Sequence, residues 1–360
     1  MTRRIMIAIG FLATLAAFDA VVRTNDASLS IYEMDRIERK LRTVESRIDP
    51  PDILILGSSR TAYGMAPSEF ERATGLRAFN LGIPASKVVE WRFIARKALA
   101  RTQPRLIVLG VNASGVREDN APTYAAYSLF GARDFVDHTL ENGWSNEMAS
   151  NYFEGRLSRA WGAFGRGLEL KFWLQERLVA VFPKHAQLAR ERREMVAESC
   201  TPDGYEHPWL FNERMRNLQQ QIDEDGDAFV QKGSIPVFEP GGASMRAFNR
   251  LLDDLRATGI PLVVCYLPNS PRTTSRWRDV EPAMKAAIAD ACSRRRVRFV
   301  DGTAASPDRR NADYLDESHA GLGLARRISG FVASEIVATG LLDADGPVFA
   351  SGREEGALGP

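Results

Sequence analysis

A chain of 360 residues that is 44% hydrophobic and 26% charged has the balance of a globular protein, with room for about two domains or one domain carrying a large insertion. Lys and Arg total 47 against 46 Asp and Glu, a formal charge of +1, which argues against a nucleic-acid partner, since coating phosphates needs a basic face. The 28 Gly and 18 Pro residues are too few for a collagen-like or low-complexity chain.

Met1-Thr2-Arg3-Arg4 precedes an apolar run from Ile5 to Phe18, which Asp19 interrupts before Ala20-Val21-Val22. The unbroken run suits a signal-peptide core. Counted through Val22, it makes a helix of about 27 Å, close to the thickness of a bilayer's hydrocarbon. Phe18 and Asp19 stand where a small-x-small cleavage site would fall, which favours an uncleaved signal anchor over a cleaved peptide. Arg3 and Arg4 hold the N-terminus in the cytoplasm, so the bulk of the chain is expected in the periplasm or outside the cell; a buried N-terminal helix is the alternative. Cys200, Cys265 and Cys292 form no C-x-x-C pair, which argues against structural zinc, and three cysteines allow at most one internal disulfide. Cys265 lies in an apolar run and reads as a small buried residue.

Ile31, Met34, Ile37, Leu41, Val44 and Ile48 then recur at steps of three and four, the stripe of an amphipathic helix that Pro50-Pro51 ends. It reads as a stalk packed on the domain, with a short coiled-coil dimer as the rival. Strands are expected at 52–57, 77–81, 106–110, 260–267 and 297–300. Helices are expected at 88–100, around 245–255, at 282–294 and from His319 to Ala338. This alternation predicts an α/β fold with a parallel sheet covered on both faces and a site beyond the strands' C-terminal ends. Residues 121–240 break the pattern: helical stretches without a strand run, holding more than half of the aromatic residues, among them Trp144, Trp161, Trp173 and Trp209. They read as a helical insertion with its own core, or as one whose rings line a cleft for sugars. The expected units are 1–23 (anchor or signal), 24–50 (stalk), 51–120 and 243–342 (the two halves of the domain), 121–242 (insertion) and 343–360 (a Gly- and charge-rich tail expected to fray).

Four short motifs carry the chemistry: Gly57-Ser58-Ser59-Arg60 after the first strand, Asn80-Leu81-Gly82 after the second, Gly110-Val111-Asn112-Ala113 after the third, and Asp316-Glu317-Ser318-His319 opening the last helix. A serine hydroxyl is a weak nucleophile at neutral pH and needs a positioned base. His319 can supply it, with Asp316 holding the other imidazole nitrogen. The N–H groups of Ser59 and Gly82 and the amide of Asn112 are candidates for the oxyanion hole. Ser58 competes as nucleophile, and Arg60 is either a binder of an anionic substrate group or one half of a surface ion pair. His138, His185 and His207 lack partner spacing and default to structural or exposed positions.

In these motifs the chain resembles the SGNH/GDSL hydrolase superfamily over roughly 52–115 and 243–338, with Ser59, Gly82, Asn112 and His319 in the places of the four marker residues. It departs from the usual pattern at Ser58 and Ala113, where Asp is often found. The resemblance implies a three-layer, flavodoxin-like α/β fold and serine chemistry without metal or cofactor. Within the superfamily the chain is most similar to membrane-anchored proteins of teichoic-acid D-alanyl transfer and alginate O-acetylation. That similarity implies an extracytoplasmic O-acyltransferase with an acyl donor, a glycan or polymer acceptor and a multispanning membrane acyltransferase as partner. An esterase or deacetylase and a catalytically silent scaffold are the competing expectations.

Overall fold

The computed structural model describes residues 2–30, 36–46, 49–118, 127, 129–181, 183–198, 201–206, 235–316 and 318–342. Ile31, Met34 and Ile48 of the expected stalk stripe, Cys200, His207, Trp209 and the 343–360 tail lie outside the described residues.

The chain opens with α1 (Thr2–Thr24), α2 (Asp26–Ser30) and α3 (Arg36–Ser46). Strand β1 (Ile53–Ser58) leads into α4 (Ser59–Gly64) and α5 (Pro67–Thr74), β2 (Ala78–Ile83) into α6 (Val88–Leu99), and β3 (Leu106–Val111) into a 3-10 turn at Ala113–Val116. The insertion holds α7 (Ala132–Asn142), α8 (Asn146–Ala160), α9 (Gly162–Gly165), α10 (Gly167–Arg177) and α11 (Pro183–Glu198), with no strand among its described residues. The alternation then resumes with α12 (Ala243–Ala257), β4 (Leu262–Tyr266), α13 (Pro271–Arg276), α14 (Glu281–Arg294), β5 (Arg298–Asp301) and α15 (Leu322–Ala338).

All five strands are parallel, in the order β2-β1-β3-β4-β5. Because both sheet faces are covered, the strands are continuous apolar runs whose alternate residues enter two different cores. Leu54, Leu56, Phe79, Leu81, Ile107, Leu109 and Val264 face α3, α6, α12 and α14. Ile53, Ile55, Ala78, Leu106, Val108 and Val263 face α5 and α15. Ile37, Leu41 and Val44 of α3 are buried in the first of these cores. Cys265 and Cys292 are buried free thiols. The winding reverses between β1 and β3, which opens a crevice at their C-terminal ends.

Edge strand β2 is covered by residues 201–206 of the insertion. The Asn80 N–H donates to the Asp203 carbonyl (2.8 Å), and the Glu206 N–H to the Ala62 carbonyl (3.1 Å). Gly204, at φ +80°, passes so close that a Cβ would stand 2.4 Å from the Asn80 carbonyl oxygen. Beneath this segment Lys40 of α3 is fully buried. Its ammonium donates to the Gly82 carbonyl (2.6 Å) and pairs with the buried Glu206 carboxylate (3.1 Å).

The last helix starts at Leu322, three residues later than expected. Gly321 takes the N-cap position, and the Asp316 side chain bonds the backbone N–H groups of Ser318 and His319 instead, a local alternative to helix. Helices α4 and α5 were not foreseen; at six and eight residues they are too short to show a period.

The insertion has a small core of its own, Tyr127, Phe130, Met148 and Tyr152 around Phe93 of α6. His138 is buried against it, its Nε2 3.3 Å from the Tyr127 hydroxyl and its Nδ1 3.2 Å from Asn142 Nδ2. Burial lowers its pKa from 6.5 to about 4. The unfolded chain therefore takes up this proton first as pH falls, and stability is lost between about pH 6.5 and 4. The expected loss is roughly 3 kcal/mol at the lower end. Thermal midpoints measured across that range should fall for the wild type and fall distinctly less for His138→Gln.

Candidate functional site

The site begins with two glycines on neighbouring strands. Gly57 of β1 is registered with Gly110 of β3, and Thr61 of α4 drops its side chain between them, its hydroxyl donating to the Gly110 carbonyl (3.1 Å). A Cβ on Gly57 would stand 2.1 Å from Thr61 Oγ1, and one on Gly110 2.4 Å from it. Gly57 also takes φ +147°, which only glycine tolerates well. This brings the start of α4 down onto the sheet at the switch point. Asn80 fastens it from the other side: its amide donates to the carbonyls of Thr61 (2.8 Å) and Met65 (2.6 Å).

Ser59 is the first residue of α4, so its own N–H has no intrahelical acceptor. Ser58 is the N-cap, its hydroxyl accepting the Arg60 N–H at 3.4 Å. The two candidate nucleophiles thus have different work, and Ser59 is the one that meets the base: His319 Nε2 lies 2.8 Å from Ser59 Oγ. On the far side of the ring, His319 Nδ1 lies 2.6 Å from Asp316 Oδ2. Asp316 Oδ1 accepts the N–H groups of Ser318 (2.7 Å) and His319 (2.8 Å). Burial pushes the Asp316 pKa up, but the neighbouring His319 and these hydrogen bonds outweigh it and hold the carboxyl well below the usual 3.8. An ionised Asp316 keeps the imidazole's proton on Nδ1 and leaves Nε2 free to accept the serine proton. Tyr63 stands edge-on to the His319 ring, centroids 5.2 Å apart and planes at 83°.

The histidine loop is closed on itself. Tyr314 pairs with Ala320 in an antiparallel bridge, and the Leu315 N–H donates to the His319 carbonyl (2.7 Å). The Tyr314 hydroxyl, donating to the Asn269 carbonyl (2.8 Å), ties this loop to the one after β4.

Asn112 stands two residues beyond Gly110, as Ser59 stands two beyond Gly57, the last residues paired between β1 and β3, so both follow the C-terminal ends of neighbouring strands. Asn112 is 1% exposed, its Oδ1 accepts the Ser114 hydroxyl (3.2 Å), and its Nδ2 has no hydrogen-bond partner. A buried donor left unpaired costs about 1–3 kcal/mol, and this one follows the end of β3, the strand paired with the one that leads into Ser59.

Two expectations need correction. The Gly82 N–H is committed to Asn80 Oδ1 (2.8 Å). The glycine is there for close packing, since a Cβ would stand 2.5 Å from the Ala62 nitrogen. Asn80, Gly82 and Gly110 also lie within their strands rather than after them. In the turn beyond β2, Pro84 has no N–H, Ser86 donates to the Ile83 carbonyl (3.2 Å) and Lys87 to Glu90 (2.7 Å). The remaining N–H belongs to Ala85, which takes a left-handed φ of +65°, a strained conformation for a residue with a Cβ. The second correction concerns Arg60. Among the described residues it makes no ion pair; it donates to the Asn269 side-chain carbonyl. Asn269 and Tyr266 in turn donate to Glu281 (2.8 and 2.7 Å). Burial lowers the Arg60 pKa, against the raising field of Asp316.

Thr61, Tyr63, Ala85 and Asn269 were missed in the sequence. Only the paired strand-end glycines, Gly57 and Gly110, signalled that something would approach closely. Among the described tryptophans of the insertion, Trp161 and Trp173 pack with Val22 and Leu29 and Trp144 is exposed; Tyr205 donates its hydroxyl to the carbonyl of Tyr63 (3.0 Å), whose ring meets His319. His185 is exposed.

A scan against protein-family models and a search of curated proteins find no match to this chain. What the site can do follows from its geometry.

Asn112→Ala should lower kcat on a model ester by about 10²–10³-fold and leave the melting temperature nearly unchanged. Gly82→Ala should do the reverse in kind, lowering the melting temperature because backbone must move. Steady-state kinetics and thermal melts on the two variants separate a donor from a packing position.

Proposed function

We propose that this chain is a membrane-anchored serine acyl-transfer enzyme of the SGNH/GDSL type, working outside the cytoplasm through an acyl-Ser59 intermediate. The observation that carries this reading is the unbroken chain Ser59 Oγ–His319–Asp316 at 2.8 and 2.6 Å. Ser59 Oγ attacks the carbonyl of an acyl donor while His319 Nε2 takes its proton; the proton is then delivered to the leaving oxygen as the ester bond breaks. The tetrahedral oxyanion is met by Asn112 Nδ2 and the N–H groups of Ser59 and Ala85. A hydroxyl then attacks the acyl-enzyme by the same route in reverse, with His319 as base.

The acceptor is proposed to be a hydroxyl of a cell-surface glycan or polymer, and the donor side a multispanning membrane acyltransferase. Supporting this is the apolar segment Ile5–Thr24, the single helix among the described residues long and apolar enough to cross a membrane and largely exposed. A membrane anchor or a signal sequence fits it.

Full-length protein in detergent should take one fluorophosphonate adduct, mapped to Ser59 by peptide mass, and lose it in Ser59→Ala and His319→Ala. Asp316→Asn should label more slowly but measurably. Absence of an adduct on folded protein would remove the enzymatic reading and leave a binding or scaffolding subunit. Release of acid from a p-nitrophenyl ester should be slow alone and faster with a glycan acceptor. Fast release that no acceptor changes would assign the site to an esterase.

A further inference from the structure

The last turn of α1 is bonded into the insertion. Arg23 donates to the Arg159 and Ala160 carbonyls at the end of α8 (3.2 and 2.7 Å). Asp19, itself paired with Arg23, accepts the Ala163 N–H at the start of α9 (2.9 Å). Gly162 allows the approach: a Cβ there would stand 3.2 Å from Arg23 Cγ. Val22, Leu29 and Ala163 are buried together, with Trp161, Leu170 and Trp173 packed against them. Helices α9 and α10 are therefore held at the level where α1 ends.

From this point the chain exposes apolar side chains in series. Phe164, Leu168, Leu174, Leu178, Val179 and Val181 are 41–66% exposed, and α10 has no buried residue at all. A shallow groove of about 380 Å³ runs along α10 between Leu170, Leu174 and Leu178. Outside α1 and the insertion, the described residues expose one large apolar side chain, Val337. Lys171, Arg177 and Lys184 are exposed around the patch, with Arg177 stacked over the Trp173 ring (3.9 Å).

We propose that residues 162–181 are a second membrane contact: they lie in the interfacial layer of the bilayer beside α1, with these apolar side chains at the acyl-chain boundary and the basic residues at the headgroups. An apolar patch this concentrated needs cover. Its continuity with the exposed apolar surface of α1 points to lipid as the cover. The flanking cations Lys171, Arg177 and Lys184 suit the headgroup layer. The catalytic domain would then stand at a fixed angle to the membrane rather than swing on a tether.

The inference rests on α1 being a membrane anchor, and the test separates the two. Full-length protein carrying Cys200→Ser is reconstituted in lipid nanodiscs. A single environment-sensitive fluorophore is placed through Leu178→Cys, with Leu174→Cys as a repeat one turn away, Leu12→Cys reporting α1 and Val337→Cys as the exposed control. Nitroxide-labelled lipids should quench the probes at 178, 174 and 12 several-fold more than the probe at 337. Quenching at 12 with 178 and 174 no different from 337 would overturn the second contact and leave the anchor standing. A blue-shifted but unquenched probe at 178 would also overturn it, in favour of a protein cover. No quenching at 12 would remove the anchor, and the proposal with it.

Discussion

A Cβ on Gly57 would meet the Thr61 hydroxyl at 2.1 Å and the Gly110 carbonyl at 2.5 Å, and this absence of room organises the site. Two strands that lack side chains at the same register leave a slot, and the first turn of α4 fills it with one threonine. Ser59 is then raised at the switch point, with Asn112 just past the end of the neighbouring strand. The arrangement depends on close approach from both sides, since Asn80 and Gly82 hold the other flank of the same short helix. A six-residue helix has little stability of its own; its position comes from the sheet beneath it.

On the proposed reading, electrostatics then decide the direction of proton movement. Asp316 receives both backbone N–H groups and the imidazole, so it remains an ion despite its burial, and it fixes the tautomer that the nucleophile needs. Arg60, the residue after the nucleophile, is tied to Asn269 and through it to Glu281. Its charge is buried with this pair, in the field of Asp316 and Glu281. Asn112 Nδ2, like Glu281 Oε2, is buried without a partner, and on the proposed reading a developing oxyanion would complete the hydrogen bonding of the Asn112 amide.

The strands and long helices were legible because a buried parallel sheet writes itself as unbroken runs such as Ile53–Leu56, and α6 and α12 show an apolar face. Ser59, Asn112, Asp316 and His319 were legible because they sit at strand ends or at a fixed short spacing. The Gly82 reading failed because a motif gives a residue without the direction of its N–H; Asn80, two residues earlier, claims that donor. Ala85 was invisible because nothing in a lone alanine signals a positive φ. Thr61, Asn269 and the Lys40–Glu206 pair join elements far apart in the chain, and no local pattern records such partners. The residue order of α10 carries no amphipathic pattern, and none of its residues is buried in the folded chain.

The clip formed by residues 201–206 changes what the insertion is. By chain order the insertion interrupts the domain between β3 and β4, and it looks removable. Yet its 201–206 segment covers the edge of β2, bonds the carbonyl of Ala62 and supplies Glu206 to a lysine that water does not reach. Replacing 121–242 with a short loop would strand that ammonium and bare a sheet edge beside the nucleophile. The unit that folds cooperatively therefore does not coincide with the unit drawn by the alternating strands and helices, and a minimal catalytic domain would have to carry the 201–206 clip with it.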